Sequence, residues 1–149
     1  MRTFVWQGID EPRMEIVRVE SLARAHGTMV GVAYELHWEL IGAELSVDVG
    51  EGPRRIALAG ADFFDLQHSA FFNSLPVLRD GLLTSTAPRD YTMRYVSVPD
   101  LTDALTAQQY RPRGAGVIEF ISGDYRADME FDGDGFVTEY RDYLRRVHP

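Results

Sequence analysis

The stretch Thr28-Met29-Val30-Gly31-Val32-Ala33-Tyr34-Glu35-Leu36-His37-Trp38-Glu39 sets the period of the chain. Val30, Val32, Tyr34, Leu36 and Trp38 fall on one face of an extended backbone; Gly31, Ala33, Glu35, His37 and Glu39 fall on the other. Successive strand side chains point to opposite faces, so the alternation predicts one long strand with one apolar face. The same period recurs outward from there. Leu45, Val47 and Val49 alternate with Glu44, Ser46 and Asp48; Tyr125, Ala127, Met129 and Phe131 alternate with Arg126, Asp128 and Glu130. Tyr91, Met93 and Tyr95 alternate with Thr92 and Arg94, and Ile16–Glu20 and Val117–Ile121 are weaker repeats of the pattern.

Reversal signals separate these runs: Ile41-Gly42, Gly50-Glu51-Gly52-Pro53, Arg113-Gly114, Ser122-Gly123-Asp124 and Asp132-Gly133-Asp134-Gly135. Short Gly- and Asp-containing links between strands predict hairpins, hence a mainly antiparallel sheet. Two places leave the pattern. Residues 61–83 mix aromatics, a proline and both charge signs, and read as a loop with a short helix over 73–78. Arg141–Val147 reads as one or two helical turns. A sheet with one apolar face needs a cover, and the aromatic-rich insert is the natural one. The expected fold class is mainly β: a single curved antiparallel sheet wrapped around a loop/helix insert, ending in a short C-terminal helical turn. No repeat or linker divides the chain, so residues 1–149 are expected to form a single domain.

Composition narrows the function. The chain has 149 residues, a net charge of −8, no cysteine, and arginine as its only Lys/Arg type. Absence of cysteine excludes disulfides and thiolate chemistry. An acidic chain without a basic run is a poor partner for nucleic acid, whose phosphates demand cations. No stretch approaches the roughly 20 apolar residues of a membrane-spanning helix. The N-terminal residues turn polar too soon for a signal peptide, so the expected location is cytoplasmic.

The insert carries the most specific motif. Asp65, Leu66, Ser69, Asn73, Leu75, Pro76 and Arg79, in the run Asp65-Leu66-Gln67-His68-Ser69-Ala70-Phe71-Phe72-Asn73-Ser74-Leu75-Pro76-Val77-Leu78-Arg79, resemble the central motif of the bacterial Putative glycolipid-binding family. Phe131-Asp132-Gly133-Asp134-Gly135-Phe136-Val137-Thr138-Glu139-Tyr140, Gln109-Tyr110, Arg146-Val147, Trp6, Glu15, Gly27, Gly31 and Tyr34 extend the resemblance over most of the chain. Ala70, Phe72 and Leu78 depart from it, Leu78 replacing the first arginine of an Arg-Arg pair. The resemblance implies a half-barrel similar to periplasmic lipoprotein carriers. It also implies binding of an amphiphile on the concave face.

Each candidate residue has a functional and a structural reading. Tyr34, Trp38, Tyr91, Met93, Tyr95, Phe120 and Phe131, with Val32, would line an apolar pocket. The alternative is a core closed against Phe63, Phe64, Phe71 and Phe72. Asp65 and Arg79 would grip a polar headgroup, or tie insert to sheet as an ion pair. Asn73 would contact ligand, or cap a turn or short helix. His37 between Glu35 and Glu39 has the geometry of a solvated strand face rather than a metal site. The Asp132–Gly135 run reads as a hairpin turn, since it lacks the frame of a calcium loop. No cofactor motif is present. The leading expectation is non-enzymatic binding of an apolar or amphiphilic small molecule, such as a lipid or glycolipid, on the concave face. The alternatives are a small hydrolase using acids such as Glu15, Glu119 and Asp62 in one cleft, and a closed-core interaction module recruiting a partner through a sheet edge.

Overall fold

The computed structural model describes all 149 residues, Met1–Pro149. Thirteen strands form one sheet: β1 (Arg2–Gly8), β2 (Met14–Ser21), β3 (Arg24–Gly31), β4 (Tyr34–Ile41), β5 (Glu44–Asp48), β6 (Arg54–Ala57), β7 (Phe63–Leu66), β8 (Arg89–Val96), β9 (Asp103–Gly114), β10 (Val117–Ser122), β11 (Tyr125–Phe131), β12 (Val137–Tyr140) and β13 (Leu144–His148). Helix α1 (Ala70–Asp80) and a 3₁₀ turn (Leu82–Thr84) lie between β7 and β8. The strand order is β6-β5-β4-β3-β2-β1-β13-β12-β11-β10-β9-β8-β7. All pairs are antiparallel except β7–β8, so the sheet is mixed. The expected mainly β architecture, a curved sheet around an insert, is what the chain adopts.

The curvature follows from connectivity. Flat, thirteen strands would span nearly 60 Å at about 4.8 Å per spacing. Yet the two edge strands, β6 and β7, are joined by residues 58–62 alone, a link that reaches at most roughly 20 Å. The sheet must therefore curl back on itself. No ladder closes the seam; side chains bridge it instead. Arg94 donates to the carbonyls of Leu58 (3.5 Å) and Ala59 (3.3 Å), and Asp103 pairs with both Arg94 and Arg54.

Helix α1 fills the curl. Its residues 70–77 are all buried, with Trp38 stacked on Phe71 and tilted against Phe72. Ser74 Oγ donates to the Ala70 carbonyl (3.2 Å) and accepts the Val137 amide (3.1 Å), pinning the helix to β12. Trp6 Nε1 donates to the Val137 carbonyl from the other side. Gly81 ends the helix in the left-handed conformation at φ 61°, its N–H capping Val77.

Four local expectations are corrected. Thr28–Glu39 is a hairpin rather than one strand: Val32-Ala33 form its turn, and Gly31 pairs with Tyr34. Cross-strand partners share a face, so Met29 and Leu36 point inward together while Val30 and Glu35 point outward. Val32, at the tip, is exposed. The glycines make room for rings opposite them. A Cβ on Gly27 would lie 2.7 Å from Trp38 Cζ2, and one on Gly31 would overlap the Tyr34 ring. The insert contains a strand, β7, and its helix runs longer than residues 73–78. Asn73 is not a cap; Ser69 holds the N-cap position. The expected C-terminal helical turn is strand β13. Its backbone pairs with β1 on one side and β12 on the other, and two otherwise open edges outweigh weak local helix propensity.

Candidate functional site

Inward-facing apolar residues pack on α1, and two openings flank the helix, one near its start and one near Leu75 and Arg79. The larger opening surrounds the start of α1. It is a cleft of about 810 Å³, within the usual range for small-molecule sites. The β1–β2 turn supplies Asp10, the β7–α1 turn Gln67 and His68, and the β12–β13 turn Arg141, Asp142 and Tyr143. Strands add Asp65, Tyr95, Thr106, Gln108, Phe120, Tyr125, Arg126, Ala127 and Tyr140, and the helix adds Asn73.

Tyrosines form much of the wall. Tyr140 and Tyr143 meet edge to face with centroids 5.0 Å apart, and Phe120 packs on both Tyr110 and Tyr140. Desolvation pushes Tyr95 up to about 12 and raises Tyr110, Tyr140 and Tyr143 also, so all remain neutral phenols at pH 7. His68, at φ 71°, shares a short hydrogen bond between its Nδ1 and the Tyr143 hydroxyl. Burial and then the Arg13 charge push His68 down to about 4. A neutral imidazole carries one proton, so Nδ1 either accepts from the Tyr143 hydroxyl or donates to it according to the tautomer.

The floor is polar. Gln108 Nε2 donates to Asp65 Oδ2 at 2.8 Å, and Asn73 Nδ2 reaches the Tyr110 hydroxyl at 3.5 Å. Asp65 and Gln108 are buried, and Gln108 Oε1 has no protein donor. Desolvation raises Asp65 above the usual carboxylate range, only partly offset by the Gln108 hydrogen bond. Asp10 behaves oppositely. Burial pushes it up, but the Arg13 hydrogen bond and charge, with backbone N–H groups, hold it low.

Of the residues singled out in the sequence, Asp65, Asn73, Tyr95 and Phe120 meet in this cleft. The others lie elsewhere. Trp38, Met93 and Phe131 are core. Tyr34 covers Gly31, its hydroxyl buried without a partner. Tyr91 donates to Asp80 Oδ2 at 2.7 Å. Arg79 is held by Asp80 (2.9 and 3.1 Å) and lies over the Phe63 ring. The Asp65–Arg79 pair does not form: Asp65 lines the opening at the helix start, and Arg79 lines a smaller apolar one with Leu22, Leu58 and Leu75. Nor do Glu15, Glu119 and Asp62 converge. Glu15 is buried against Trp38 and Ser69, Glu119 pairs with Arg113 and Arg126, and Asp62 accepts the Thr92 amide. His37, Glu35 and Glu39 are exposed on the outer face.

Gln108, His68, Tyr140 and Tyr143 escaped sequence reasoning as site residues. One signal was present. Thr106, Gln108 and Tyr110 alternate along β9, but an inward polar face has the same pattern as a solvated one.

The larger cleft and the wrapped helix are built mostly by residues after β5, and the comparisons with known proteins concern the same region. The Putative glycolipid-binding family matches residues 47–146. A crystal structure of a DUF1089 family protein from Pseudomonas aeruginosa is similar in fold, with a TM-score of 0.74 and 19% identity over 91% of this chain and 92% of that one. Among curated proteins none matches. The family match covers two thirds of the sequence, the motif-bearing helix and most of the cleft: the chain belongs to the Putative glycolipid-binding family.

Proposed function

We propose that the protein is a non-enzymatic binder of a small amphiphile, and that the tyrosine-lined cleft takes the ligand's polar, hydroxyl-bearing end. The observation that carries this reading is Gln108 Oε1, a buried acceptor without a donor on the floor of an aromatic-walled cleft. An unmet buried acceptor costs about 1–3 kcal/mol, which a ligand hydroxyl can offset. Flat phenol rings suit the C–H faces of a sugar, and neutral Tyr, Asn and Gln groups suit its hydroxyls. The apolar part leaves past Phe120 and the half-exposed ring of Tyr125. The family's description supports a ligand of this kind.

The test is a titration of the ¹⁵N-labelled protein with octyl glucoside below its micelle concentration. Saturable shifts centred on Asp65, Gln108 and Tyr143, weakened about tenfold or more in Gln108→Leu, are expected. Absence of saturable shifts, or shifts confined to the opening near Leu22 and Leu58, sinks the reading.

A hydrolytic reading has one observation in its favour. Asp10 and Asp65 line one cleft and their acidities move apart, as in acid–base pairs. Asp10, however, is already engaged by Arg13 at 2.6 Å and by the Glu11 amide. Sugar release from a nitrophenyl glycoside, abolished in Asp65→Asn, would favour hydrolysis over binding.

A further inference from the structure

We propose that the polar end of the ligand carries an ammonium group, seated between the Asp65 carboxylate and the surrounding tyrosine rings. The inference rests on the reading of the cleft as a ligand site and specifies its chemistry.

Asp65 is 8% exposed and takes part in none of the protein's ion pairs. A buried carboxylate without a counter-charge is costly, and buried charges in proteins are ordinarily paired. Burial raises Asp65, and no neighbouring cation acts in the opposite direction; the Gln108 hydrogen bond alone does. The residue is thus an anion, or a proton-bearing acid, with which no cation of the protein pairs; Arg13, 4.9 Å over the Tyr143 ring, is engaged by Asp10.

The groups around it complete an ammonium site. Tyr95, Tyr140 and Tyr143 line the same cleft as Asp65, from two strands and a turn, and the Asp65 charge adds to the burial that raises each of them. Phenol faces attract cations. Gln108, 5% exposed, leaves Oε1 without a donor while its Nε2 is directed to Asp65. With Nδ2 turned to Tyr110, Asn73 keeps Oδ1 as an acceptor. The floor is therefore rich in acceptors, and an ammonium offers three donors and a positive charge. The cleft's two arginines do not reverse this, since Arg141 pairs with Asp128 at 3.2 Å and Arg126 lies 3.9 Å from Glu119. A net charge of −8 favours the approach of cations over anions.

The experiment compares octyl glucoside with its 2-amino-2-deoxy and 6-amino-6-deoxy analogues at neutral pH, by calorimetric titration of the full chain. At least one amino analogue is expected to bind about tenfold or more tighter than octyl glucoside. In Asp65→Asn the ratio of the two affinities should fall to near unity. Equal affinity of all three probes for the unmodified protein overturns the ammonium inference and leaves the binding reading standing. Failure of all three to bind overturns both. The comparison on the unmodified protein decides even where Asp65→Asn does not fold.

Discussion

At the residue scale, Glu15 holds an unusual position. Its carboxylate accepts Trp38 Nε1 at 2.8 Å and Ser69 Oγ at 3.0 Å, deep beneath the sheet. Ser69 is the helix N-cap residue, yet its hydroxyl turns to Glu15 instead of capping the helix. Desolvation pushes Glu15 up to about 8 from an ordinary 4.5, despite those two hydrogen bonds. The folded protein then keeps a proton that the unfolded chain has lost. Stability from this group is full below about pH 4.5 and declines as pH rises through about 8. Glu15→Gln should flatten that decline by on the order of a few kcal/mol, read as the difference between urea unfolding free energies at the two ends of the window. An unchanged pH dependence in the variant would remove Glu15 as its source. Two aromatic substitutions separate core from site. Trp38 is buried on Phe71 and Phe72, so Trp38→Ala should lower stability by about 3–5 kcal/mol. Tyr95→Ala, at the cleft wall, should instead lower stability less than Trp38→Ala does and weaken octyl glucoside binding more. The reverse ranking would place ligand binding in the core face rather than the cleft.

At the element scale, α1 is held in register by a few polar contacts inside an apolar shell. Removing the Ser74 hydroxyl leaves the Val137 amide buried and unpaired. Ser74→Ala should therefore cost about 1–3 kcal/mol by chemical denaturation, with faster hydrogen exchange at Val137; a value near zero would mean the helix docks by apolar packing alone. The β3–β4 hairpin depends on missing side chains. Gly27→Ala places a methyl group against the Trp38 indole, which must shift away from Glu15. A loss of about 1–3 kcal/mol and an altered tryptophan emission are expected. Asp132 shows how a calcium-like sequence serves a turn. Its Oδ1 accepts the Asp134 and Phe136 amides, and its Oδ2 accepts Arg146 Nη1 at 2.7 Å.

At the scale of the whole molecule, the seam between β6 and β7 is the weak line of the curl. Every other strand junction is a backbone ladder, whereas this one relies on Arg94, Arg54 and Asp103. Arg94→Met removes the contacts to Leu58, Ala59 and Asp103 but keeps the apolar stem. It should speed amide exchange in β6 and β7 selectively while lowering global stability by only about 1 kcal/mol. Uniformly faster exchange would show that the seam is part of the global cooperative unit. The cleft lies at the opening around the start of α1, lined by the turns before β2 and β13. Its shape is thus a property of how far the sheet curls.

The sequence by itself determined the period of two, most of the hairpin turns and the aromatic insert. These depend on neighbours a few residues apart: alternation, Gly and Asp turn chemistry, and an apolar face that needs cover. Asp65 and Asn73, which line the cleft, were legible as candidates because they stand in the motif-bearing insert. Tertiary structure alone decided which side of the Val32-Ala33 turn pointed inward, because one reversal exchanges the faces of everything before it. It alone made a strand of Leu144–His148, by offering edges on both sides. It alone separated Asp65 from Arg79 and brought Asp65 to Gln108, 43 positions away. The cleft draws its walls from both halves of the chain, so it exists only once a sheet of thirteen strands has turned back on its own beginning.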